Sequence, residues 1–95
     1  RVMTIGFCRL TLYLPGAGSL KQKRSTIKGL IAKARQIFNV SVSEIDANDV
    51  WQKAVLGVAV VANESGFANS VISKVVNFFD SDYQVEVIDC AIEML

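Results

Sequence analysis

The chain has 95 residues, 52% hydrophobic and 20% charged, with a formal net charge of +1; this is enough for one domain around one core, and 1–95 reads as a single domain. Two cysteines are too few for a disulfide scaffold, and the lack of histidine removes the commonest general base and the commonest metal ligand. No apolar run approaches the ~18–20 residues of a membrane span, and the apolar start lacks a signal peptide's cleavage signature, so a cytoplasmic protein without membrane contact is expected.

Residues 2–14 read as a first strand. Val2, Cys8, Leu10, Leu12 and Leu14 make an apolar face, and Met3, Ile5, Phe7, Arg9, Thr11 and Tyr13 a mixed one. Pro15-Gly16-Ala17-Gly18 stops the strand. Ser19 with Gln22 is a capping-box start for a helix, on which Leu20, Ile27, Leu30, Ile31, Ala34 and Phe38 share one side until Asn39 ends it. Val40 to Asp46 is a second strand and Ala47-Asn48-Asp49 a turn. Trp51 to Ala62 is a third strand, apolar on both faces at its centre as a central strand should be. Asn63 or Ser65 can cap a second helix whose buried side is Phe67, Ala68, Val71, Ile72, Val75, Phe78 and Phe79. After the loop Asp80-Ser81-Asp82, Tyr83 to Ile92 alternates weakly and reads as an edge strand.

The βαββαβ order predicts an α+β sandwich of the ferredoxin-like kind: a four-stranded antiparallel sheet with both helices on one face and the other face open. So apolar a composition in so small a domain leaves apolar surface for a partner subunit. If Leu56, Val58 and Val60 face the helices, then Trp51, Lys53, Val55, Gly57 and Ala59 share the open face with Ile5, Phe7, Arg9 and Tyr13. An RNA-recognition sheet would stack bases on aromatics of its two central strands. Strand one offers Phe7, but strand three has Gly57 and Ala59 there, so a homo-oligomeric interface through Ile5, Phe7, Arg9, Trp51 and Val55, most simply a dimer, suits this face better.

The net charge conceals an asymmetry. Residues 1–43 hold Arg1, Arg9, Lys21, Lys23, Arg24, Lys28, Lys33 and Arg35 and no carboxylate, a charge of +8; residues 44–95 hold Lys53 and Lys74 against nine carboxylates, a charge of −7. Lys21, Arg24, Lys28 and Arg35 form a stripe along one border of the first helix, within about 60° of one another. With Lys23 they are candidate contacts to RNA phosphates. The alternative is a solvated flank that neutralises the acidic half. Ser25, Gly29 and Ala32 on the outward side read as plain surface.

Glu44, Asp46 and Asp49 form an acidic cluster open to two readings, a hard-metal site or ordinary solvation. The glycine-bearing loop before the first helix could dock an anion on its amides, but it lacks the P-loop spacing and its Lys-Ser/Thr ending, and its glycines are better read as serving a turn. No Ser-His or Cys-His arrangement is available for covalent catalysis. Reduced, packed thiols are expected of Cys8 and Cys90. A non-enzyme with no cofactor and no metal is the expectation, with a carboxylate-only site as the exception.

Two stretches carry a family resemblance: Leu14-Pro-Gly-Ala-Gly-Ser-Leu-Lys-Gln-Lys-Arg24, and Phe38-Asn-Val-Ser-Val-Ser-Glu-Ile-Asp-Ala-Asn-Asp-Val-Trp-Gln-Lys-Ala-Val-Leu-Gly-Val-Ala-Val-Val-Ala-Asn63. With them nearly the whole chain resembles the bacterial YlxP-like family. That resemblance implies a ferredoxin-like fold, no established activity, and gene neighbourhood with transcription, translation-initiation and ribosome-maturation factors, hence an RNA or ribosomal-particle partner as the expectation. The chain departs from the family pattern at Ser25 and Ile37, where basic residues are common, and at Gly18, where a more polar residue is usual.

Overall fold

Alternation along the first strand decides which side of the sheet is covered. In the computed structural model, which describes residues 3–95, β1 (Thr4–Tyr13) buries Thr4, Gly6, Cys8, Leu10 and Leu12 and turns Ile5, Phe7, Arg9, Thr11 and Tyr13 the other way. Val2, assigned to this strand from the sequence, lies outside the described residues. The remaining elements are α1 (Leu20–Ile37), β2 (Ser41–Asp46), β3 (Lys53–Ala62), α2 (Ser65–Asp80) and β4 (Glu86–Met94). The sheet order is β2-β3-β1-β4 with every neighbouring pair antiparallel. This is the ferredoxin-like α+β fold, and β4 is an edge as its weak alternation predicts.

The core joins Cys8, Leu10 and Leu12 of β1, Leu56, Val58 and Val60 of β3, Ile27, Leu30 and Ala34 of α1, and Ala68, Ile72, Val75 and Phe79 of α2. Gly6 lets α2 come close: a Cβ there would lie 2.9 Å from Ile72 Cδ1 and 3.2 Å from Ala68 Cβ.

Details at several element ends differ from the sequence reading. Ser19 Oγ accepts the Gln22 N–H at 3.0 Å as expected, but the Gln22 side chain accepts from Gly18, one residue before the cap, at 2.7 Å. The second helix is capped at Glu64, rather than at Asn63 or Ser65, and Glu64 gives no side-chain cap bond. β4 begins at Glu86, not Tyr83, because Asp82 Oδ1 accepts the Gln84 N–H at 2.9 Å and curls residues 82–84 into a turn. β3 begins at Lys53, so Trp51 stands in the preceding bend instead of on the sheet. There the chain is committed to a turn: Ala47 has a φ of 59°, in the left-handed region, and its carbonyl accepts the Val50 N–H at 3.0 Å.

Candidate functional site

The first helix carries its cations on two different sides. Lys23 sits four residues before Ile27 and seven before Leu30, squarely on the apolar side, and its side chain is fully buried. Its ammonium donates to Glu44 Oε2 at 2.5 Å, to the Ala47 carbonyl at 2.9 Å and to the Asn48 carbonyl at 3.4 Å. A charge removed from water needs such a complete set of partners. Lys23 therefore clamps α1 to the β2–β3 turn and holds the carbonyl of the left-handed Ala47. This corrects the reading of Lys23 as a phosphate contact: no anion can reach it without displacing Glu44.

The other cations of the stripe are exposed. Arg24 Nη2 lies 3.3 Å from Asp49 Oδ1, and the two side chains are 57% and 90% exposed, so the pair is solvent-screened and worth little. Arg35 Nη2 donates to the Val42 carbonyl at 2.6 Å, capping the outer edge of β2. Lys21, Lys28 and Lys33 are exposed and form no ion pair among the described residues. Arg24, Lys28 and Arg35 line one groove of about 510 Å³ between α1 and β2, with Ile27 and Ile31 on its floor side and Ser43 and Glu44 opposite.

The acidic cluster does not act as a unit. Glu44 belongs to Lys23, Asp49 to Arg24, and Asp46 to Arg9, whose Nη2 is 3.3 Å from Asp46 Oδ2. The basic half of the chain thus neutralises part of the acidic half across one hairpin. The Ala47 N–H, followed by the Arg9 guanidinium, holds the Asp46 carboxyl below its ordinary range. In the loop before α1, the Ala17 N–H is taken by Leu14 O and the Gly18 N–H by Gln22, which leaves neither amide for an anion.

The open face of the sheet is less bare than the sequence implies. Val55, read as an interface residue, is 2% exposed in the single chain. β2 bulges between Glu44 and Asp46, and the extra residue, Ile45, leans over Gly57 beside Phe7: a Cβ on Gly57 would meet Ile45 Cγ2 at 3.1 Å and Phe7 Cε1 at 3.3 Å. The bulge gives the open face a small cover of its own. Ile5 and Phe7 are half-buried, Arg9 is engaged with Asp46, and Trp51 is exposed at the end of the sheet. No signal in the sequence marked Ile45 as a cover, since bulges depend on the partner strand's register.

Among the described residues no helix is long and apolar enough to cross a membrane. Residues 5–92 match the model of a family described as a protein of unknown function, DUF503. The chain is also 35% identical over 82 residues to a Bacillus subtilis (strain 168) protein named "Uncharacterized protein YlxP", an alignment that covers 86% of this chain and 89% of the relative.

Proposed function

We propose that this chain, which belongs to the DUF503 family of proteins of unknown function, is a non-catalytic cytoplasmic module that binds RNA, free or in a ribosomal particle, along the α1–β2 groove. One observation carries the reading: Arg24, Lys28 and Arg35 line a single groove whose own carboxylate, Glu44, is already neutralised by the buried Lys23. The groove is therefore cationic in spite of the acidic residues around it. Phosphate can replace Asp49 at Arg24 at little cost, because an exposed pair contributes little. Phosphate neutralisation supplies most sequence-independent affinity for nucleic acid. Lys21 extends the same stripe toward the start of α1.

The test is fluorescence anisotropy with a structured RNA hairpin at rising salt. Three phosphate contacts give a log–log slope of about −2.1 to −2.7, so binding weakens roughly 20- to 40-fold between 50 and 200 mM salt. Arg24→Glu combined with Lys28→Glu is expected to abolish most of that dependence. Affinity no greater than that of an unrelated protein of equal charge, or unchanged in the double variant, would refute the reading.

The exposed apolar side chains Tyr13, Val50 and Trp51 favour a second reading, a dimer formed at that end of the open face, with Arg9 and then Phe7 farther along β1. Sedimentation at high concentration decides it, and a clean monomer removes it.

A further inference from the structure

The two thiols have unlike surroundings and adjacent sulfurs. Cys8, on central strand β1, is fully buried, while Cys90, on edge strand β4, is exposed, and both are free. Their Sγ atoms are 3.3 Å apart. Cys8 stands opposite Ile92 and Cys90 opposite Leu10, so the two are diagonal neighbours with side chains on the same, helix-facing side of the sheet.

We propose that Cys8 and Cys90 are a redox modification site, in which the pair reacts with a low-molecular-weight disulfide to form a reversible intramolecular bridge. Cys90 reacts first because it alone is open to solvent. Its thiolate attacks one sulfur of the external disulfide; that S–S bond breaks, a Cys90–external bond forms, and one external thiolate leaves and takes a proton from water. Cys8 then attacks Cys90 Sγ; the mixed disulfide breaks, the Cys8–Cys90 bond forms, and the second external sulfur leaves as a thiolate that takes up the proton Cys8 gives away. Two electrons pass from the pair to the external disulfide, which becomes two thiols.

The geometry also makes the bridge reversible. Diagonal neighbours in an antiparallel pair have Cα atoms about 7–8 Å apart, beyond the ~4.4–6.8 Å a relaxed disulfide spans. Bridging must draw β4 toward β1. β4 can move because it is hydrogen-bonded on one side only and its register already shifts next to Thr11 and Leu12. A disulfide closed under such strain is easily reduced. Burial, and then the Cys90 sulfur as hydrogen-bond partner and as charge, push the Cys8 thiol up to about 12, which leaves the first attack to Cys90.

The experiment exposes the native chain to oxidised glutathione, quenches with acid, alkylates remaining thiols after unfolding, and reads intact mass. The expected product is a monomer that has lost two hydrogens and has no alkylated cysteine, and reduced glutathione returns it to two free thiols. Cys8→Ser should stop at the glutathione adduct. Cys90→Ser, at an exposed position that leaves the core intact, should slow thiol loss on the order of tenfold or more. A native product that stops at the adduct, a dimer linked through Cys90, two unreacted thiols, or a bridge that reduced glutathione does not open would each overturn the proposal.

Discussion

Replacing Lys23 by methionine keeps an unbranched side chain, one atom shorter, and removes its charge. It leaves Glu44, whose side chain is 16% exposed, without a cation, and it takes a donor from the Ala47 and Asn48 carbonyls. Removing one partner of a buried ion pair typically costs about 3–5 kcal/mol. Glu44's access to solvent and the Val50 N–H still held by Ala47 lower this to about 2–4 kcal/mol, a large part of the ~5–15 kcal/mol that holds such a domain together. Because 1 kcal/mol corresponds to about 4–8 °C in a domain of this size, the midpoint should fall by roughly 8–32 °C. Urea denaturation with thermal melts measures it. The companion variant Lys23→Met with Glu44→Leu removes both charges and should recover part of the loss, with a coupling of about 1–3 kcal/mol. A single-variant cost below about 1 kcal/mol, or strict additivity in the double, would refute the clamp. Either result also bears on the groove, since Lys23→Met leaves Glu44's charge facing Arg24 and Lys28 and should weaken RNA binding without removing any phosphate contact.

Gly6→Ala should destabilise the fold by about 1–3 kcal/mol, because the new methyl meets Ala68 Cβ on a helix that cannot yield as a side-chain tip can; an unchanged denaturation midpoint would show that α2 has room to move. Arg9→Ala should raise the Asp46 titration, followed by carboxyl NMR, but not fully to its ordinary value, because the Ala47 N–H is the larger cause of the depression. Because the folded group is the stronger acid, the pair's contribution is present above the unfolded pKa and fades as pH falls through the folded one; an Asp46 titration that Arg9→Ala leaves unmoved would show that the guanidinium has no part in it.

Some of the site was legible along the chain and some was not. Periodicity alone placed β1's buried face, both helices, the central position of β3 and the edge position of β4, because a strand repeats every second residue and a helix every 3.6, whatever they pack on. The same periodicity held an unused signal: Lys23 falls on the apolar arc with Ile27, Leu30 and Ala34, which marks it as buried instead of a member of the exposed stripe. Its partner was not legible, since Glu44 lies 21 residues away and only the β2–β3 hairpin brings it under α1. Trp51 and Val55, both read as open-face residues, part company for a similar reason, one exposed beyond the sheet and one buried in it. The turn closed at Ala47 precedes a β3 that starts only at Lys53, leaving the tryptophan off the sheet, and the bulge at Ile45 sets a side chain over Gly57 on the same face as the valine; both depend on how β2 meets β3.

The sequence by itself determined the order of elements, the covered face of the sheet and the separation of basic from acidic halves, since each follows from residue type and local spacing. Only the tertiary structure decided which charges cancel and which remain. Packing took Lys23 out of solvent to neutralise Glu44, left Arg24, Lys28 and Arg35 along one groove, and set the sulfurs of Cys8 and Cys90 side by side. Those outcomes rest on contacts between segments remote in the chain, where desolvation and strand register, not local preference, set the energy.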